Sequence, residues 1–434
     1  MTLQRKDFEI MAPVGSRESL AAALAAGADA IYFGIEGLNM RSRSSSNFTL
    51  DDLREIAATC SAAGVKTYLT VNTIIYDADM PRMRSIIDAA REAGISAIIA
   101  SDIAAISYAN SIGQPVHIST QVNISNVEAV RFYARFADVM VLARELSMEQ
   151  VAEISRAIRE ENICGPDGNP VRLEMFCHGA LCMAVSGKCY MSLHEMNSSA
   201  NRGACNQICR RSYTVTDKET GAQLDVENQY IMSPKDLKTI HFLDRMVKAG
   251  VSVFKIEGRA RGPEYVLETV SCYSEALQAI CDGSYSDEKV AAWDERLARI
   301  FNRGFWDGYY MGQRLGEWSA KYGSSATRVK HYIGKATRYF PRLGVGEFRL
   351  EAGELHVGDE VVLTGPTTGA LIFKVEELRL DVDPVEKVSK GQLFSMPVPE
   401  KIRLSDRLYR WEETAAARAA AEAGGKPSGD SKKD

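Results

Sequence analysis

The feature that most constrains the fold is a regular alternation of short apolar runs with segments of helical periodicity, from residue 8 to about residue 282. Eight runs have the length and composition of buried strands: Glu9–Val14, Ala30–Gly34, Lys66–Asn72, Ala97–Ser101, Val116–Thr120, Val139–Arg144, Leu173–Gly179 and Val253–Gly258. Helical periodicity lies between them, for example in Glu18–Ala26, Leu50–Ala63, Arg82–Ala93, Val127–Phe136 and Met148–Arg159. Such alternation predicts parallel strands joined by right-handed crossovers. Eight units in roughly 270 residues match a (β/α)8 TIM-like barrel, with a doubly wound open sheet as the alternative.

The pattern changes after Phe305. From Arg328 to Leu408, short strand-like runs alternate with turn signals such as Gly358-Asp359, which predicts a small all-β barrel. We therefore expect a TIM-like barrel over residues 1–325, with a cysteine-rich insertion at about residues 177–232. A small β-barrel domain over 326–410 and a charged tail over 411–434, disordered at its end, complete the predicted organisation.

Polar side chains are concentrated at the carboxyl ends of the predicted strands. The set consists of Asn72, Asp102, Gln121, Asn123, Arg144, Glu145, His178, Glu257 and Arg259. Active sites of (β/α)8 barrels lie at that end, so we expect a functional site there. Some polar residues after strands only cap helices, as Asp102 before Ile103 and Ser125 before Val127 are predicted to do.

Four cysteines, Cys182, Cys189, Cys205 and Cys209, follow the seventh predicted strand and are separated by loop-forming residues. Four thiols gathered by loops suit a tetrahedral sulfur cage, either a structural zinc site or an iron–sulfur cluster. The spacing C-x6-C-x15-C-x3-C is wider than a zinc knuckle and favours a cluster. Disulfides are the alternative, but the odd total of nine cysteines and the lack of an N-terminal leader pattern indicate a reduced, cytoplasmic protein.

Composition excludes several classes of function. The net charge of −5 does not draw the whole protein to nucleic acid or to an anionic membrane, and no apolar run is long enough to span a bilayer. An RNA partner would therefore need a local basic patch, for which Arg202, Arg210 and Arg211 are candidates. The chain has no H-E-x-x-H, G-x-S-x-G or P-loop motif.

Two neighbouring motifs carry a family resemblance. The run from Glu174 to Cys182 (EMFCHGALC), followed by Gly187 to Ser192 (GKCYMS), resembles the signature of peptidase family U32. APVG at residues 12–15, AGADAIY at 26–32 and KIEGR at 255–259 also match that family. The resemblance covers roughly residues 8 to 310, and the all-β segment resembles a module appended to some members.

This resemblance implies a protein of oxygen-independent hydroxylation, with a [4Fe–4S] cluster on Cys182, Cys189, Cys205 and Cys209 and prephenate as the hydroxyl donor. It implies tRNA as the partner, with the wobble uridine converted to 5-hydroxyuridine. The alternative activities are hydroxylation of ribosomal RNA or of a ubiquinone precursor, and collagenase-like, metal-dependent peptide cleavage. A non-catalytic RNA-binding subunit is a third reading, and a paralogous subunit or a second copy of the chain would be a further partner.

The resemblance implies roles for residues at the strand ends. Arg41, Arg144 and Arg259 are candidates to hold the two carboxylates of prephenate, because guanidinium groups bind carboxylates through paired planar hydrogen bonds.

The remaining candidates are polar or acidic. The residues expected to contact the donor hydroxyl, the base edge or the substrate are Asn72, Gln121, Asn123 and Glu257. His178 or Glu145 is expected to move a proton.

Overall fold

The computed structural model describes residues 3–42, 48–211, 213–226, 232–313, 316–319 and 323–424. The first twelve strands, in chain order, are β1 Glu9–Pro13, β2 Ala30–Phe33, β3 Lys66–Val71, β4 Ala97–Ala100, β5 Val116–Ile118, β6 Val139–Val141, β7 Arg172–Gly179, β8 Tyr213–Thr216, β9 Gln223–Val226, β10 Asp236–Lys238, β11 Val251–Ile256 and β12 Phe305–Trp306. Strands β1 to β7 and β11 are parallel, and β11 pairs with both β1 and β7. This closure forms an eight-stranded TIM-like barrel and confirms the predicted fold over the open sheet.

Helices cover the outside of the barrel. They are α1 Arg17–Ala25, α2 Asp52–Ala62, α3 Met80–Glu92, α4 Ile103–Ser111, α5 Val127–Tyr133, α6 Met148–Glu160, α8 Leu243–Lys248, α9 Pro263–Asp282 and α10 Asp287–Arg299. The short helix α7, Met191–Met196, lies instead in the cysteine-containing segment. Asp102 caps α4 as predicted, by accepting a hydrogen bond from the Ala104 amide. The predicted cap of α5 at Ser125 is wrong, because the adjacent Asn126 accepts the hydrogen bond from the Ala129 amide.

Strand alternation divides the buried side chains into two layers. One set faces the helices and forms the main core, with Ile10, Ile31 and Leu69 among its members. The other set points into the barrel and forms a smaller apolar plug: Met11, Ala30, Tyr32, Tyr68, Ala97, Ile99, Val139 and Val253. The barrel interior is thus filled by side chains, as expected for this fold.

The remaining strands form the C-terminal unit: β13 Arg328–Phe340, β14 Val345–Leu350, β15 Glu354–His356, β16 Glu360–Gly365, β17 Gly369–Lys374, β18 Leu378–Leu380, β19 Asp383–Val385, β20 Lys387–Ser389, β21 Leu393–Pro397 and β22 Arg407–Glu413. Eight of them form an antiparallel sheet in the order β17-β16-β22-β13-β14-β21-β18-β19, and β15 pairs with β20. The predicted all-β character is thus confirmed. Strand β22 continues beyond residue 410, and α11, Ala415–Gly424, follows it. The predicted disordered end of the tail, residues 425–434, lies outside the described residues, as do residues 227–231 of the predicted insertion.

The C-terminal unit packs on the outside of the barrel against α1 and α9. A Cβ atom on Gly369 of β17 would lie 2.7 Å from the Ala22 nitrogen of α1, so glycine permits this close approach. Lys330 of β13 forms an ion pair of 2.8 Å with Glu264 of α9. Within the described part of the chain, no helix has the length and apolar character needed to cross a membrane.

Candidate functional site

A cavity of about 220 Å³ opens at the carboxyl ends of the barrel strands. Ten of the residues predicted from the sequence line it: Arg41, Asn72, Gln121, Arg144, Cys182, Cys189, Cys205, Cys209, Glu257 and Arg259. Residues from five barrel strands or the segments after them, together with the cysteine-containing loops, thus converge on one space. Such a concave site with convergent polar groups is the usual form of a ligand-binding site.

Close backbone approaches hold the cysteine-containing loops over the strand ends. A Cβ atom on Gly203, whose φ is 84°, would lie 2.3 Å from the Asn39 carbonyl oxygen. A Cβ atom on Gly187, whose φ is 75°, would lie 2.7 Å from the Gln121 side chain. Both positions combine a left-handed backbone with a close neighbour, so they favour glycine. The Ser192 hydroxyl of α7 accepts a hydrogen bond from the Asn206 amide and ties the two halves of the segment together.

The four thiols line this cavity and influence one another electrostatically. Burial raises the pKa of the Cys209 thiol, Arg210 lowers it, and nearby Cys182, Cys205 and Cys189 raise it further. Within the described ranges, no group of three or more His, Cys, Asp or Glu side chains is drawn together tightly enough to hold a single metal ion. The cysteines therefore share one cavity without forming a compact site for one ion.

Glu257 lies among arginines in the same cavity. Its Oε1 accepts a hydrogen bond of 2.8 Å from the Arg41 guanidinium, and its Oε2 lies 3.2 Å from the Tyr32 hydroxyl, which donates to it. Burial alone would raise the pKa of Glu257, but Arg41, then Arg144 and Arg259, more than offset that effect and lower the pKa to about 2. Glu257 is therefore ionised at neutral pH and holds Arg41 in place.

Two other arginines are bound mainly by neutral groups. Arg259 is 6% exposed and donates from Nη1 to the Thr70 hydroxyl at 3.0 Å and to the Asn39 side chain at 3.2 Å. Arg144 donates to the Ala180 carbonyl at 3.1 Å and lies 3.7 Å above the Phe176 ring, while its Nε is buried without a hydrogen-bond partner in the described structure. Burial lowers the pKa of Arg259. The cavity thus carries positive charge that its own carboxylate does not fully neutralise.

The side-chain amides of Asn72 and Gln121 are hydrogen-bonded to each other in the same cavity as the arginines. The Asn72 amide nitrogen lies 3.4 Å from both the Ser119 hydroxyl and Gln121 Oε1, and Asn72 Oδ1 accepts from the Met40 amide. The Ser119 hydroxyl also donates to Gln121 Oε1. Asn72 and Gln121 are therefore held as a pair at the cavity wall, as expected for groups that orient a ligand.

A buried ion pair at the cavity floor was missed from the sequence. Lys255 Nζ lines the cavity and lies 2.7 Å from Glu174 Oε1, and both side chains are almost fully buried. The other oxygen, Glu174 Oε2, lies 3.7 Å from His117 Nδ1, and neither atom has a hydrogen-bond partner among the described residues. Burial raises the pKa of Glu174, but Lys255 and then His117 lower it to below its usual value. The signal was present in the KIEGR run, since Lys255 lies two residues before Glu257 and shares its face of the strand.

Three predicted residues are not brought to the cavity. His178 is 1% exposed and lies among Tyr265, Tyr273 and Phe305, with its Nδ1 3.3 Å from the Tyr273 hydroxyl. Burial lowers the pKa of His178 to about 3, and Lys238 adds to this shift, so the ring is neutral and packed. We therefore withdraw it as a proton carrier.

The other two, Glu145 and Asn123, also lie outside the cavity lining. Glu145 is exposed, and its neighbour Arg144 takes the inward position. Asn123 ends a short turn with a left-handed backbone, φ 64°, a conformation that asparagine tolerates well. Neither residue lines the cavity.

A closed parallel barrel with a thiol-lined, cation-rich cavity at the carboxyl ends of its strands has the architecture of an enzyme. The chain matches the model of Peptidase family U32 over residues 15–320. It therefore belongs to peptidase family U32.

Relatives with different names are similar to this chain in sequence. A "Collagenase" of Porphyromonas gingivalis is 68% identical, with 94% of this chain and 98% of that protein aligned. The "tRNA hydroxylation protein P1" of Bacillus subtilis is 30% identical over 86% of this chain and 87% of its own length. The "23S rRNA 5-hydroxycytidine C2501 synthase" of Escherichia coli is 31% identical over 73% of this chain and 47% of its own length. The relatives thus include proteins named for peptide cleavage and proteins named for RNA hydroxylation.

Proposed function

We propose that this protein hydroxylates RNA without molecular oxygen, forming 5-hydroxyuridine at the wobble position of tRNA, with prephenate as the hydroxyl donor. The observation that carries the proposal is the convergence of four thiols and an excess of cations in one cavity of a chain related to RNA hydroxylation proteins. A hydrolytic peptidase needs an activated nucleophile or water. A cysteine thiol can serve as that nucleophile when a histidine activates it, but no histidine lines the described cavity.

The donor set fits an iron–sulfur cluster. Cys182, Cys189, Cys205 and Cys209 reach one space from separate loops, and a four-iron cluster is larger than one ion, so its thiolate ligands lie further apart. Zinc is the alternative occupant. When bound, a cluster would supply electron transfer or Lewis acidity close to the substrate.

The cationic wall fits a small dianion such as prephenate. Arg144 and Arg259 offer guanidinium groups that are bound mainly by neutral partners, and Arg41 is fixed beside them by Glu257. Two carboxylates of one ligand match two such groups through paired hydrogen bonds. Lys255, held by Glu174 at the cavity floor, presents an ammonium group to the same ligand.

The amide pair fits recognition of a hydroxyl group or a base edge. Asn72 and Gln121 each carry both donors and acceptors, and their mutual contact fixes which face turns to the cavity. A base can enter only when it is unstacked, and the unpaired loop of a tRNA presents such bases at low cost.

The test is nucleoside analysis of tRNA. The chain, and its Cys182→Ala variant, would be produced in a bacterial strain that lacks its own tRNA hydroxylation proteins. We expect 5-hydroxyuridine derivatives to appear with the wild-type chain and to be absent with the variant. A matched Cys281→Ala variant, altered at a cysteine away from the cavity, should behave like the wild type. Failure of the wild-type chain to change the nucleosides would remove the tRNA target, and digestion of ribosomal RNA from the same cells would test that alternative.

Peptide cleavage is the second candidate, because the Porphyromonas gingivalis relative that is 68% identical is named "Collagenase". Purified protein would be incubated with denatured collagen with and without a chelator. Cleavage by the wild-type chain that is lost in Cys182→Ala and retained in Cys281→Ala would favour this activity over RNA hydroxylation.

A further inference from the structure

A second group of arginines lines the cavity beside the cysteines. Arg210, Arg261 and Arg303 come from the cysteine-containing segment, from the loop after β11 and from the segment before β12. Arg261 and Arg303 both lie over the Phe301 ring, with their guanidinium carbons 3.5 and 5.2 Å from its centre. Like charges so close together repel one another unless an anion lies between them.

The group has little compensation from its own surroundings. Asp236 pairs with Arg303 at 3.3 Å. Arg210 donates to the Ser233 hydroxyl and to the Pro234 and Leu181 carbonyls, all neutral acceptors. The Arg261 guanidinium has neither a hydrogen bond nor an ion pair within the described residues, although it is partly buried. Burial and then the charge of Arg303 lower the pKa of Arg261.

The group lies next to the proposed donor site. Arg261 follows Arg259 by two residues in the loop after β11 and is partly buried, whereas Lys255 and Arg259 are 5% and 6% exposed. A nucleotide whose base enters the cavity keeps its phosphate away from the base by the length of the sugar. Cations that line the same cavity beside the donor site are therefore placed to meet such a phosphate.

We propose that Arg210, Arg261 and Arg303 form an oxyanion site that binds a backbone phosphate of the RNA substrate, next to the nucleotide whose base enters the cavity. This inference rests on the proposed function and adds how the RNA is held. Three guanidinium groups can surround the oxygens of a phosphodiester, and Arg261 offers hydrogen-bond donors that have no partner among the residues the structure describes.

The experiment compares Arg261→Gln, Arg261→Lys and a matched control, Arg135→Gln. Arg135 also lies over a phenylalanine ring, 4.3 Å from Phe132, but it lies before β6, on the side of the barrel opposite the cavity. Binding of unmodified tRNA would be measured at several salt concentrations, and binding of prephenate by calorimetry. Thermal melting would show whether each variant is folded. Melting with and without inorganic phosphate would show whether the site binds a free anion.

We expect Arg261→Gln to weaken tRNA binding about tenfold and to lower the slope of log affinity against log salt by about one, since one phosphate contact is lost. Arg261→Lys should retain the slope and recover part of the affinity, because lysine keeps the charge but not the planar donors. Prephenate binding and the Arg135→Gln variant should match the wild type, and phosphate should stabilise the wild type more than Arg261→Gln.

Three results would overturn the inference. Unchanged tRNA affinity and salt slope in a folded Arg261→Gln protein would remove the phosphate contact while leaving the proposed function intact. Loss of prephenate affinity with normal tRNA binding would assign Arg261 to the donor instead. A wild-type protein that binds no tRNA would contradict the proposed function as well, and stabilisation by inorganic phosphate would then identify a free anion as the ligand.

Discussion

The two ends of the barrel interior contain similar residue types but differ in how their charges are balanced. At the amino end, Glu9 accepts hydrogen bonds from Lys66 at 2.8 Å, Arg172 at 3.1 Å and Tyr68 at 2.6 Å. At the carboxyl end, Glu257 faces Arg41, Arg144 and Arg259, and further arginines lie beyond it. At the amino end both cations contact the carboxylate, whereas at the carboxyl end Arg144 and Arg259 contact mainly neutral groups. Paired charges hold the fold together, whereas cations without a carboxylate partner in a cavity attract an anionic ligand. The difference indicates that the amino end is structural and the carboxyl end is the binding site.

The largest expected effect on folding is at the amino end. Glu9→Gln removes the charge that compensates Lys66 and Arg172, and we expect it to lower the free energy of unfolding by about 3 kcal/mol, measured by urea denaturation. Glu55→Gln, which removes the surface partner of Arg17, should leave the urea midpoint unchanged. Equal effects of the two substitutions would contradict a structural role for the Glu9 network.

Acid should destabilise the protein through the same Glu9 network. Burial alone would raise the pKa of Glu9, but Arg172 and Lys66 offset it and lower the pKa to about 2, compared with an ordinary value of 4.5. A carboxyl group with a lowered folded-state pKa contributes stability above its unfolded pKa and loses that contribution as the pH falls. Urea midpoints measured from pH 6 to pH 2 should therefore decline below about pH 4.5, and Glu9 should account for about 3 kcal/mol of the loss. The decline should be smaller in Glu9→Gln, and an equally steep decline would show that Glu9 is not one of the groups responsible.

At the carboxyl end the expected effect is on binding. Arg144→Gln removes a guanidinium that donates to a single carbonyl and stacks on Phe176, so stability should change little. Prephenate affinity, measured by calorimetry, should fall about tenfold through loss of a charge-assisted contact. Arg172→Gln at the amino end should do the reverse, with lower stability and unchanged affinity. If prephenate affinity fell in Arg172→Gln and stayed the same in Arg144→Gln, the assignment of the binding site to the carboxyl end would be contradicted.

The smallest effect is expected at His178. His178→Phe keeps an aromatic ring among Tyr265, Tyr273 and Phe305 and loses only the contact with the Tyr273 hydroxyl. We expect a loss of about 1 kcal/mol in stability and no change in the pH profile of RNA hydroxylation. A shifted pH profile would show that His178 takes part in the reaction.

Much of the fold was predictable because strand alternation and helix ends are local properties. The left-handed glycines Gly27, Gly64 and Gly94, with φ of 78°, 71° and 77°, end α1, α2 and α3 as their position after apolar helical runs indicates. The cap of α5 was predicted one residue too early, because Ser125 and the adjacent Asn126 are both good capping residues.

Regular alternation along a strand places side chains in the candidate site, including Lys255, which was overlooked. It misplaces a side chain where the strand pairing is irregular. Lys255, Glu257 and Arg259 share one face, two residues apart, and all line the cavity. His178 does not follow this pattern, because the pairing of β7 with β11 shifts between Lys255 and Ile256 and two residues of β7 oppose one of β11. Such a bulge depends on contacts between distant segments, so the sequence near His178 does not reveal it.

The pairing of charges was also beyond the sequence. The contact of Arg41 with Glu257 joins residues 216 positions apart, and the partner of Lys255 is Glu174 on another strand. The sequence shows that cations and carboxylates occur together near the strand ends. Only the fold determines which of them remain unpaired.

The central claim is that the four cysteines hold one group of several metal atoms in the cavity. Iron, acid-labile sulfide and zinc would be quantified in protein purified without oxygen, for the wild type and for Cys182→Ala and Cys281→Ala. We predict about four iron and four sulfide per wild-type chain, retained in Cys281→Ala and lost in Cys182→Ala. One zinc per chain without sulfide, or iron that persists when Cys182 is removed, would contradict the account.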